Sequence, residues 1–382
     1  MRILIVFNKY QYRGGEDTYV NNLILLLRKN GHIVKTYIKD SRSITNIFDK
    51  IKIGLGLFWN FQTSRELSIV IKQFKPDIAH FHNIYPIITP TAYYICKKYG
   101  VKIVQTIHNY KFMCPKNSLF RNGKMCELCI NKKFMWPSIL YGCYHRSKLA
   151  SFLFSLSFLL HNNIGTFHTI DSLIFPTQFV QDYYLTNLSI TNITIDKSTV
   201  LPYFTPFMKN KNDSNENLND QYFYFGRLAE EKGISLITKL FSQKKRKLLI
   251  VGDGPLKQML VQKYQNYKNI QFIGYQTPKK IFSMMMSAKA LIIPSLWYEV
   301  LPFVLIEAMA LKKTIFLSNN PNLKTIKNRN NIIFFESGNL SDLESKISDF
   351  EKNLYIKKIS KMPIDYSSKY HYSILTKIYE NL

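Results

Sequence analysis

The segment PSLWYEVLPFVLIEAMA, residues 294–310, decides the fold that this sequence predicts. The apolar run ALIIPS leads into it and is typical of a buried strand. A polar and aromatic loop carrying Glu299 follows, and LPFVLIEAMALKK then predicts a helix with Pro302 near its first turn. Glu307 lies about one and a half helical turns further on. The pattern therefore places two carboxylates beside one helix N-terminus at the carboxyl edge of a strand, where open α/β sheets bind ligands.

The chemistry of this edge indicates what it binds. Backbone N–H groups at a helix N-terminus suit a diphosphate, and nearby carboxylates accept hydrogen bonds from hydroxyl groups. Phosphate donors beside hydroxyl acceptors predict a site for a nucleotide-sugar. The alternative is a buried strand and helix with two incidental acids, but a glutamate in so apolar a helix is rare unless it is paired or functional.

The composition bounds the class of protein. A chain of 382 residues predicts two domains, and contents of 46% hydrophobic and 20% charged residues are typical of a globular protein. Lysine and arginine number 52 against 25 acidic residues, which gives a net charge of +27. Such a charge favours an anionic partner, either nucleic acid or the inner surface of a membrane. The alternative is a compositional bias, since the chain is rich in Lys, Ile and Asn throughout.

The expected location follows from two further observations. The first residues, MRILIVF, predict a buried strand rather than a signal peptide. No apolar run reaches the roughly 18 residues that a membrane span needs. We therefore expect a cytoplasmic protein whose thiols stay reduced.

The first half begins with a βαβ unit, formed by RILIVF, YVNNLILLLRKNG and HIVKTYI. Gly14 and Gly15 lie at its strand-to-helix turn, where glycine lets the backbone approach a phosphate. A full G-x-G-x-x-G is absent, so a plain turn is the alternative. Later strands end at His80 and His82 and at His108. We expect His80 and His82 to point to opposite faces of the sheet, and His108 is the better functional candidate because it ends a strand where ligands gather.

Four cysteines follow within residues 114–143, namely Cys114, Cys126, Cys129 and Cys143. One hypothesis is a structural zinc site with four thiolate ligands, which would hold together this loop-rich insertion. The spacing contains only one C-x2-C pair. Free reduced thiols, or a mixed set with His145, are the alternatives.

The apolar segment 148–162 is too short to span a membrane. It predicts either a buried or partner-facing helix, or a helix that lies in the membrane interface beside Arg146 and Lys148.

The second half repeats the α/β pattern after a polar stretch, MKNKNDSNENLNDQ, that predicts a linker with a boundary near residue 210. Strand, turn and helix recur in YFYFGRLAEEKGISLITKLF and KLLIVGDGPLKQML, and the strands IQFIGY and ALIIPS follow. Two such halves leave a cleft between them, a usual place for ligands. Arg227 and Lys232 flank the first turn and could neutralise a departing diphosphate, or they are surface cations of a basic protein.

Taken together, these motifs resemble the retaining glycosyltransferases of family 4, which have the GT-B fold. The resemblance rests on GRLAEEKG (226–233), VGDGP (251–255) and the Glu-x7-Glu of the 294–310 segment. The Gly14–Gly15 loop and TIHN are similar to the first domain of that family, and the cysteine-containing insertion is similar to a subset of it. Asn109 stands where an Asp often follows the His.

The resemblance implies an α/β architecture with two Rossmann-like, doubly wound domains that face a central cleft. Residues 1–209 would form the N-terminal domain on the acceptor side, with the cysteine-containing insertion at 111–147. Residues 210–365 would form the C-terminal domain on the donor side. The tail SKYHYSILTKIYENL predicts a helix, so residues 366–382 would pack back towards the N-terminal domain.

The resemblance also implies roles for individual residues. Arg227 and Lys232 would bind the diphosphate of the donor, Glu299 would contact its sugar, and Glu307 would hold the ribose hydroxyls. His108 would lie near the reacting carbon. Backbone groups would complete the donor site at Gly14, Gly15, Gly226, Gly252, Leu301, Pro302, Phe303 and Val304. No cofactor would be required for catalysis, because fixed cations and the helix dipole replace a metal ion.

The predicted activity is that of a hexosyltransferase that moves a sugar from a UDP- or GDP-sugar to a lipid-linked or polysaccharide acceptor. Bacterial surface-glycan synthesis, of capsule or lipopolysaccharide, at the inner face of the plasma membrane is the expected context. A nucleotide-sugar epimerase or a phosphorylase of the same fold is one alternative. A nucleic-acid-binding protein is another, but the basic residues are scattered apart from KKRK at 244–247, which predicts a solvated helix end.

Overall fold

The computed structural model describes residues 1–11, 14–187, 195–206, 219–326, 331–353 and 365–382. The chain divides into two compact units. Unit 1 comprises Met1–Leu119, Cys126–Pro202 and Ser368–Leu382, and unit 2 comprises Phe120–Met125 and Tyr203–Ser367. The predicted boundary near residue 210 and most of the predicted linker lie outside the described residues.

The elements alternate between strand and helix along both units. The strands are β1 (Arg2–Lys9), β2 (Ile33–Asp40), β3 (Ile78–Phe81), β4 (Lys102–Thr106), β5 (Phe120–Arg121), β6 (Lys124–Met125), β7 (Ser172–Phe175), β8 (Ser198–Val200), β9 (Gln221–Phe225), β10 (Lys247–Val251), β11 (Ile270–Gly274), β12 (Ala290–Ile293), β13 (Ile315–Ser318) and β14 (Ile332–Phe335). The helices are α1 (Gly15–Lys29), α2 (Ile47–Gly56), α3 (Phe61–Phe74), α4 (Thr91–Lys98), α5 (Trp136–Leu140), α6 (Lys148–Asn163), α7 (Gln178–Asn187), α8 (Ile234–Ser242), α9 (Lys257–Tyr264), α10 (Pro278–Ser287), α11 (Phe303–Ala310), α12 (Leu340–Glu351) and α13 (Ser368–Glu380).

Unit 1 is built on a six-stranded sheet in the order β2-β1-β3-β4-β7-β8, in which all paired strands are parallel. Residues of β1 and β3 are buried almost throughout, as expected for parallel strands that are covered by helices on both faces. The strand order reverses direction between β1 and β3. Ligands of doubly wound folds bind at such a point, outside the carboxyl ends of the strands.

The C-terminal helix α13 belongs to unit 1 and is anchored by polar contacts of buried side chains. The Tyr379 hydroxyl lies 2.6 Å from His80 Nδ1, and His371 Nε2 lies 3.1 Å from the hydroxyl of Tyr19 on α1. His371 Nδ1 also lies 2.8 Å from the carbonyl oxygen of Pro202. These contacts attach the end of the chain to the first sheet.

Unit 2 is built on a second parallel sheet in the order β11-β10-β9-β12-β13-β14. One core fills the space between this sheet and its helices, with Tyr222, Phe241 and Phe316 among its largest buried side chains. The order reverses between β9 and β12. The prediction of two Rossmann-like, doubly wound domains is therefore confirmed, and in unit 2 the two strands that flank the reversal carry the GRLAEEKG and PSLWYEV motifs at their carboxyl ends.

Two local predictions need correction or completion. The KKRK run is not a solvated helix end, because α8 ends at Ser242 and Arg246 bonds Glu344 at 2.7 Å and Glu351 at 2.8 Å. These two carboxylates lie on α12, so the arginine fastens α12 beside the start of β10.

The apolar segment after residue 147 forms α6, and the helix is neither fully buried nor fully exposed. Phe154 and Phe158 are buried, whereas Leu149 and Phe152 are 68% and 41% exposed. Among the described residues, no helix combines the length and the apolar character needed to cross a membrane.

Candidate functional site

The centre of the candidate site in unit 2 is an ion pair between the loops that follow β9 and β12. Lys232 Nζ bonds both carboxylate oxygens of Glu299, at 2.7 and 2.9 Å. The Glu299 side chain is only 5% exposed and that of Lys232 is 21% exposed. The structure thus brings together two residues that are 67 positions apart in sequence and that were both predicted to belong to the site.

Three residues that the sequence did not single out position this ion pair. The Ser295 hydroxyl donates to Glu299 Oε1 at 2.6 Å, and the Asn322 side-chain amide donates to the Glu299 carbonyl oxygen. Lys232 Nζ also lies 4.9 Å from the ring centroid of Trp297, a cation–π contact. Ser295 and Trp297 lie within the 294–310 segment and could have been found there. Asn322 lies beyond β13, where no sequence pattern marks it.

Arg227 forms an ion pair within its own motif, which the sequence did not single out. Its guanidinium pairs with Glu231, four residues further along the chain. The arginine side chain is 36% exposed, so it can still reach solvent or a ligand. Arg227, Glu231 and Glu299 all act electrostatically on the buried hydroxyl of Tyr224, whose pKa is raised mainly by burial. The cations and acids of this motif therefore cluster around one point.

The helix α11 begins where the sequence predicts, with Pro302 as its N-cap and Phe303 as its first residue. Leu301 and Pro302 are buried, and the Phe303 ring stacks on Tyr203 with centroids 4.9 Å apart. Val304 is partly exposed in the first turn. The first N–H groups of a helix lack intrahelical acceptors, so this turn provides donors for an anion beside the ion pair.

Glu307 occupies the middle of α11 and is buried without a partner for its Oε2 atom among the described residues. Burial raises the pKa of this carboxyl group from 4.5 to about 7. A carboxyl group held in this way can bond a hydroxyl of a ligand. Trp297 Nε1 is a second buried polar atom without a partner in the described part of unit 2.

The raised pKa of Glu307 predicts a pH-dependent stability. The folded protein holds this proton up to about pH 7, whereas the unfolded chain releases it near pH 4.5, so stability falls as the pH rises between these values. The total loss is about 3 kcal/mol. We expect Glu307→Gln to unfold at higher denaturant concentration than the native protein at pH 8, and to lose this advantage at pH 4.5. If the stabilities of the two proteins changed in parallel with pH, the raised pKa of Glu307 would be contradicted. Glu380→Gln is the control, because Glu380 is exposed.

Of the two predicted glycines of unit 2, packing requires glycine at Gly252 and is less restrictive at Gly226. A Cβ atom at Gly252, where φ is +143°, would lie 2.0 Å from the carbonyl oxygen of Gly226. A Cβ at Gly226 itself would meet the Tyr224 hydroxyl at 3.2 Å. The Gly226 amide donates to the Val251 carbonyl, which joins the two loops.

In unit 1, His108 lies in a buried cluster of histidines at the carboxyl ends of β3 and β4. His108 Nε2 lies 3.0 Å from His82 Nδ1, and the Tyr19 ring packs against both imidazoles. Burial lowers the pKa of His108 to about 3, so its imidazole is neutral at ordinary pH. The expectation that His80 and His82 point apart is wrong, since their ring centroids are 4.5 Å apart. The reason is that side chains two positions apart along a strand lie on the same face of the sheet, so His80 and His82 are neighbours.

Gly14 and Gly15 lie at the start of α1, as the sequence predicts. Gly14 is the N-cap, its amide donates to Asp17 Oδ2 at 3.0 Å, and both glycines are exposed. A Cβ at Gly14 would have nothing within 4 Å, so packing inside the unit does not require glycine there. A role in approaching a ligand remains the prediction for this pair.

The four cysteines of the insertion lie in one region of unit 1. Burial raises the pKa of the Cys129 thiol to about 12, and Cys114, Cys143 and Cys126 add to this effect. No group of three or more His, Cys, Asp or Glu side chains in the described ranges is arranged to hold a metal ion. The structural zinc site is not confirmed by this arrangement and stays a prediction.

Comparison with known proteins places both halves of the chain in one class. Residues 13–202 match the model of Glycosyltransferase Family 4, and residues 205–368 match that of Glycosyl transferases group 1. An uncharacterized 42.6 kDa protein in the cps region of Klebsiella pneumoniae is 24% identical over 359 residues, which are 92% of this chain and 86% of the relative.

Solved structures share the fold at low sequence identity. Sucrose-phosphate synthase from Thermosynechococcus elongatus has a TM-score of 0.67 at 13% identity, covering 100% of this chain and 97% of that one. Anabaena Alr3699/HepE in complex with UDP and glucose has a TM-score of 0.65 at 12% identity, covering 99% and 100%.

The fold and these matches define an enzyme, a glycosyltransferase of the GT-B type. Within that class, the chain belongs to the family 4-like glycosyltransferases.

Proposed function

We propose that this enzyme transfers a sugar, with retention of configuration, from a nucleotide-diphospho-sugar to a lipid-linked or polysaccharide acceptor in bacterial surface-glycan synthesis. Unit 2 binds the donor. Unit 1 binds the acceptor. The roles of Gly14, Gly15 and His108 toward the donor stay predictions.

The single observation that carries the proposal is the buried Lys232–Glu299 pair beside the N-terminus of α11. Negative charge develops on the departing diphosphate, so a fixed cation and helix N–H groups at that point stabilise the transition state. Lys232 supplies the cation, and Arg227, which is partly exposed, supplies a second. Glu299 orients the lysine and accepts hydrogen bonds from the sugar. Glu307 holds the ribose hydroxyls.

Two comparisons support the nature of donor and context. Alr3699/HepE was solved with UDP and glucose, which favours a UDP-sugar as the donor here. The Klebsiella relative is encoded in a cps region, which favours a surface polysaccharide as the product. Retention through departure and attack on the same face follows the family expectation, because no described carboxylate is an evident nucleophile.

The activity test needs no acceptor. We expect release of nucleoside diphosphate from one member of a panel of UDP-, GDP- and ADP-sugars in the presence of a chelator, with water as the slow acceptor. NMR of the released sugar should show the α-anomer first from an α-linked donor. An initial β-anomer would overturn retention, conversion of the donor to another nucleotide-sugar would indicate an epimerase, and no turnover of any donor would contradict the proposal.

We further propose that the enzyme works at an anionic membrane surface through unit 1. Four apolar residues of α2 are exposed by more than half, namely Ile47, Phe48, Ile51 and Leu55. Helix α2 packs beside α6, whose exposed residues include Leu149 and Phe152. Residues 128–164 contain four Lys or Arg and no Asp or Glu. An apolar face rimmed by cations suits the headgroups and acyl boundary of anionic lipid.

Vesicle binding tests this surface. We expect the protein to sediment with vesicles of phosphatidylglycerol and phosphatidylcholine, and Phe48→Ser with Ile51→Ser to reduce binding at least about thirtyfold, because the two buried apolar side chains together contribute more than about 2 kcal/mol. Leu25→Ser is the matched control, since Leu25 is 65% exposed on α1. Equal binding of all three proteins, or equal binding to neutral vesicles, would contradict the proposal.

A further inference from the structure

A cavity of about 200 Å³ opens in unit 1 beside the histidine cluster. This is far more than the 10–15 Å³ or so that one water needs. Its walls come from the loops after β1, β3 and β4 and from the insertion, and they include Tyr85, Lys111, Lys116, Asn117, Tyr144 and His145. Tyr85 and Lys111 also line a small pocket that contains His82 and His108. The cavity is therefore adjacent to the predicted functional histidine within the same unit.

Lys111 is a buried cation at the wall of this cavity. Its side chain lies under the rings of Tyr144 and Phe154, with Nζ 4.9 and 5.4 Å from their centroids. Nζ donates to the carbonyl oxygen of Pro115 at 2.6 Å. No described carboxylate forms an ion pair with it; Glu16 and Cys114 act on it only through weaker electrostatic interaction. Burying a charge without a counter-ion is unfavourable, so an anionic ligand in the cavity would stabilise this ammonium group.

Two phenol groups at the same wall also lack partners. The hydroxyls of Tyr85 and Tyr144 are buried, and neither has a hydrogen-bond partner among the described residues. The two side chains are 3% and 5% exposed, and both rings pack on Phe154 with centroids 5.0 and 4.7 Å away. Buried hydroxyls in native proteins are nearly always hydrogen-bonded. Two unpartnered hydroxyls beside an uncompensated ammonium group point to a ligand that supplies acceptors.

We propose that this cavity binds an oxyanion carried by the acceptor, with Lys111 as its counter-ion and the hydroxyls of Tyr85 and Tyr144 as donors. The oxyanion is a phosphate of a lipid-linked acceptor or a carboxylate of an acidic sugar. That the anion belongs to the sugar acceptor rests on the proposed function, whereas the anion site itself does not depend on that function. Lys116 at the cavity wall adds positive potential that favours the same ligand, whereas burial and the nearby Lys111 lower the pKa of the His145 imidazole, which does not add charge.

Calorimetric titration of the full chain tests the site with three defined probes: glucose 1-phosphate, glucuronate and glucose. We expect an anionic probe to bind more tightly than glucose, and the preferred anion tells phosphate from carboxylate. Lys111→Met should weaken that binding at least about tenfold, because a charge-assisted hydrogen bond is lost. Tyr85→Phe and Tyr144→Phe keep the ring packing and should weaken it about fivefold each. Tyr37→Phe is the matched control. It removes a hydroxyl that bonds Glu66, and Tyr37 lies on β2, which pairs with β1 on the side away from β3 and β4.

Lys232→Met separates this site from the donor site in unit 2. We expect it to leave binding of the anionic probe within about twofold. Loss of binding in Lys232→Met with retention in Lys111→Met would overturn the proposal, as would equal binding of all three probes. The titration contains no donor, so a negative result would not contradict the proposed release of nucleoside diphosphate. Equally, a negative result in the release assay would not contradict the anion site.

Discussion

Replacing Lys232 with methionine should lower the rate of nucleoside diphosphate release about 10²- to 10³-fold, the usual effect of removing one preorganised group that stabilises developing charge. Methionine keeps most of the length of the side chain and its packing on Trp297 while it removes the charge. The change also leaves Glu299 buried without its cation, since its side chain is only 5% exposed. Breaking a buried pair in this way costs about 3–5 kcal/mol of stability.

A double variant separates the loss of activity from the loss of stability. Lys232→Met combined with Glu299→Gln removes both charges, so most of the lost stability should return while the activity stays low. If activity returned together with stability, the pair would serve only the fold. Lys289→Met is the control: Lys289 pairs with Asp220 and Glu351 just before the amino end of β12, at the opposite edge of the same sheet, and its loss should leave the rate within about twofold.

Substituting Gly252 with alanine should unfold unit 2 or cost more than about 4 kcal/mol, one of the largest effects expected of a single residue. The added Cβ would lie 2.0 Å from the Gly226 carbonyl oxygen, and backbone on both sides of the contact is fixed by hydrogen bonds between β9, β10 and β11. A flexible side chain could move away, but a backbone carbonyl in a sheet cannot. Denaturant unfolding followed by circular dichroism measures the cost.

Gly274 provides the control for this prediction. It also has a positive φ, +73°, but the nearest atom to an added Cβ is Lys257 Nζ at 3.8 Å. Gly274→Ala should therefore cost only the roughly 1–2 kcal/mol of a left-handed alanine. Similar costs at both positions would show that the conformation, and not the close approach of the loops, explains the glycine at 252.

The architecture was predictable because apolar runs, turns and periodic helices alternate in both halves of the sequence. Short apolar strands such as ALIIPS are buried on both faces, and they lie in the sheet as expected. The order of the strands was not predictable from periodicity. The first sheet has the order β2-β1-β3, whereas the second has β11-β10-β9, although both halves show the same alternation of strand and helix.

The site was partly predictable. Glu299 and Lys232 could be proposed because each follows a strand that ends at a ligand-binding edge, and they do meet. The partner of Arg227 was missed, although Glu231 stands four residues later in the same motif. Asn322 could not be found, because its contact with Glu299 depends on how the segment after β13 folds, and no sequence pattern describes that segment. The closeness of His80 and His82 was predictable, because side chains two positions apart along a strand share one face of the sheet, and the expectation that they point apart was an error.

Calorimetric titration of nucleotide-sugars into the full chain, in the presence of a chelator, tests directly whether the Lys232–Glu299 pair belongs to a donor site. We expect at least one UDP-, GDP- or ADP-sugar to bind with one-to-one stoichiometry, and we expect Lys232→Met to weaken this binding at least about tenfold while Lys289→Met does not. Binding that is unchanged by Lys232→Met, or the absence of binding for every nucleotide-sugar, would contradict a donor site at this pair.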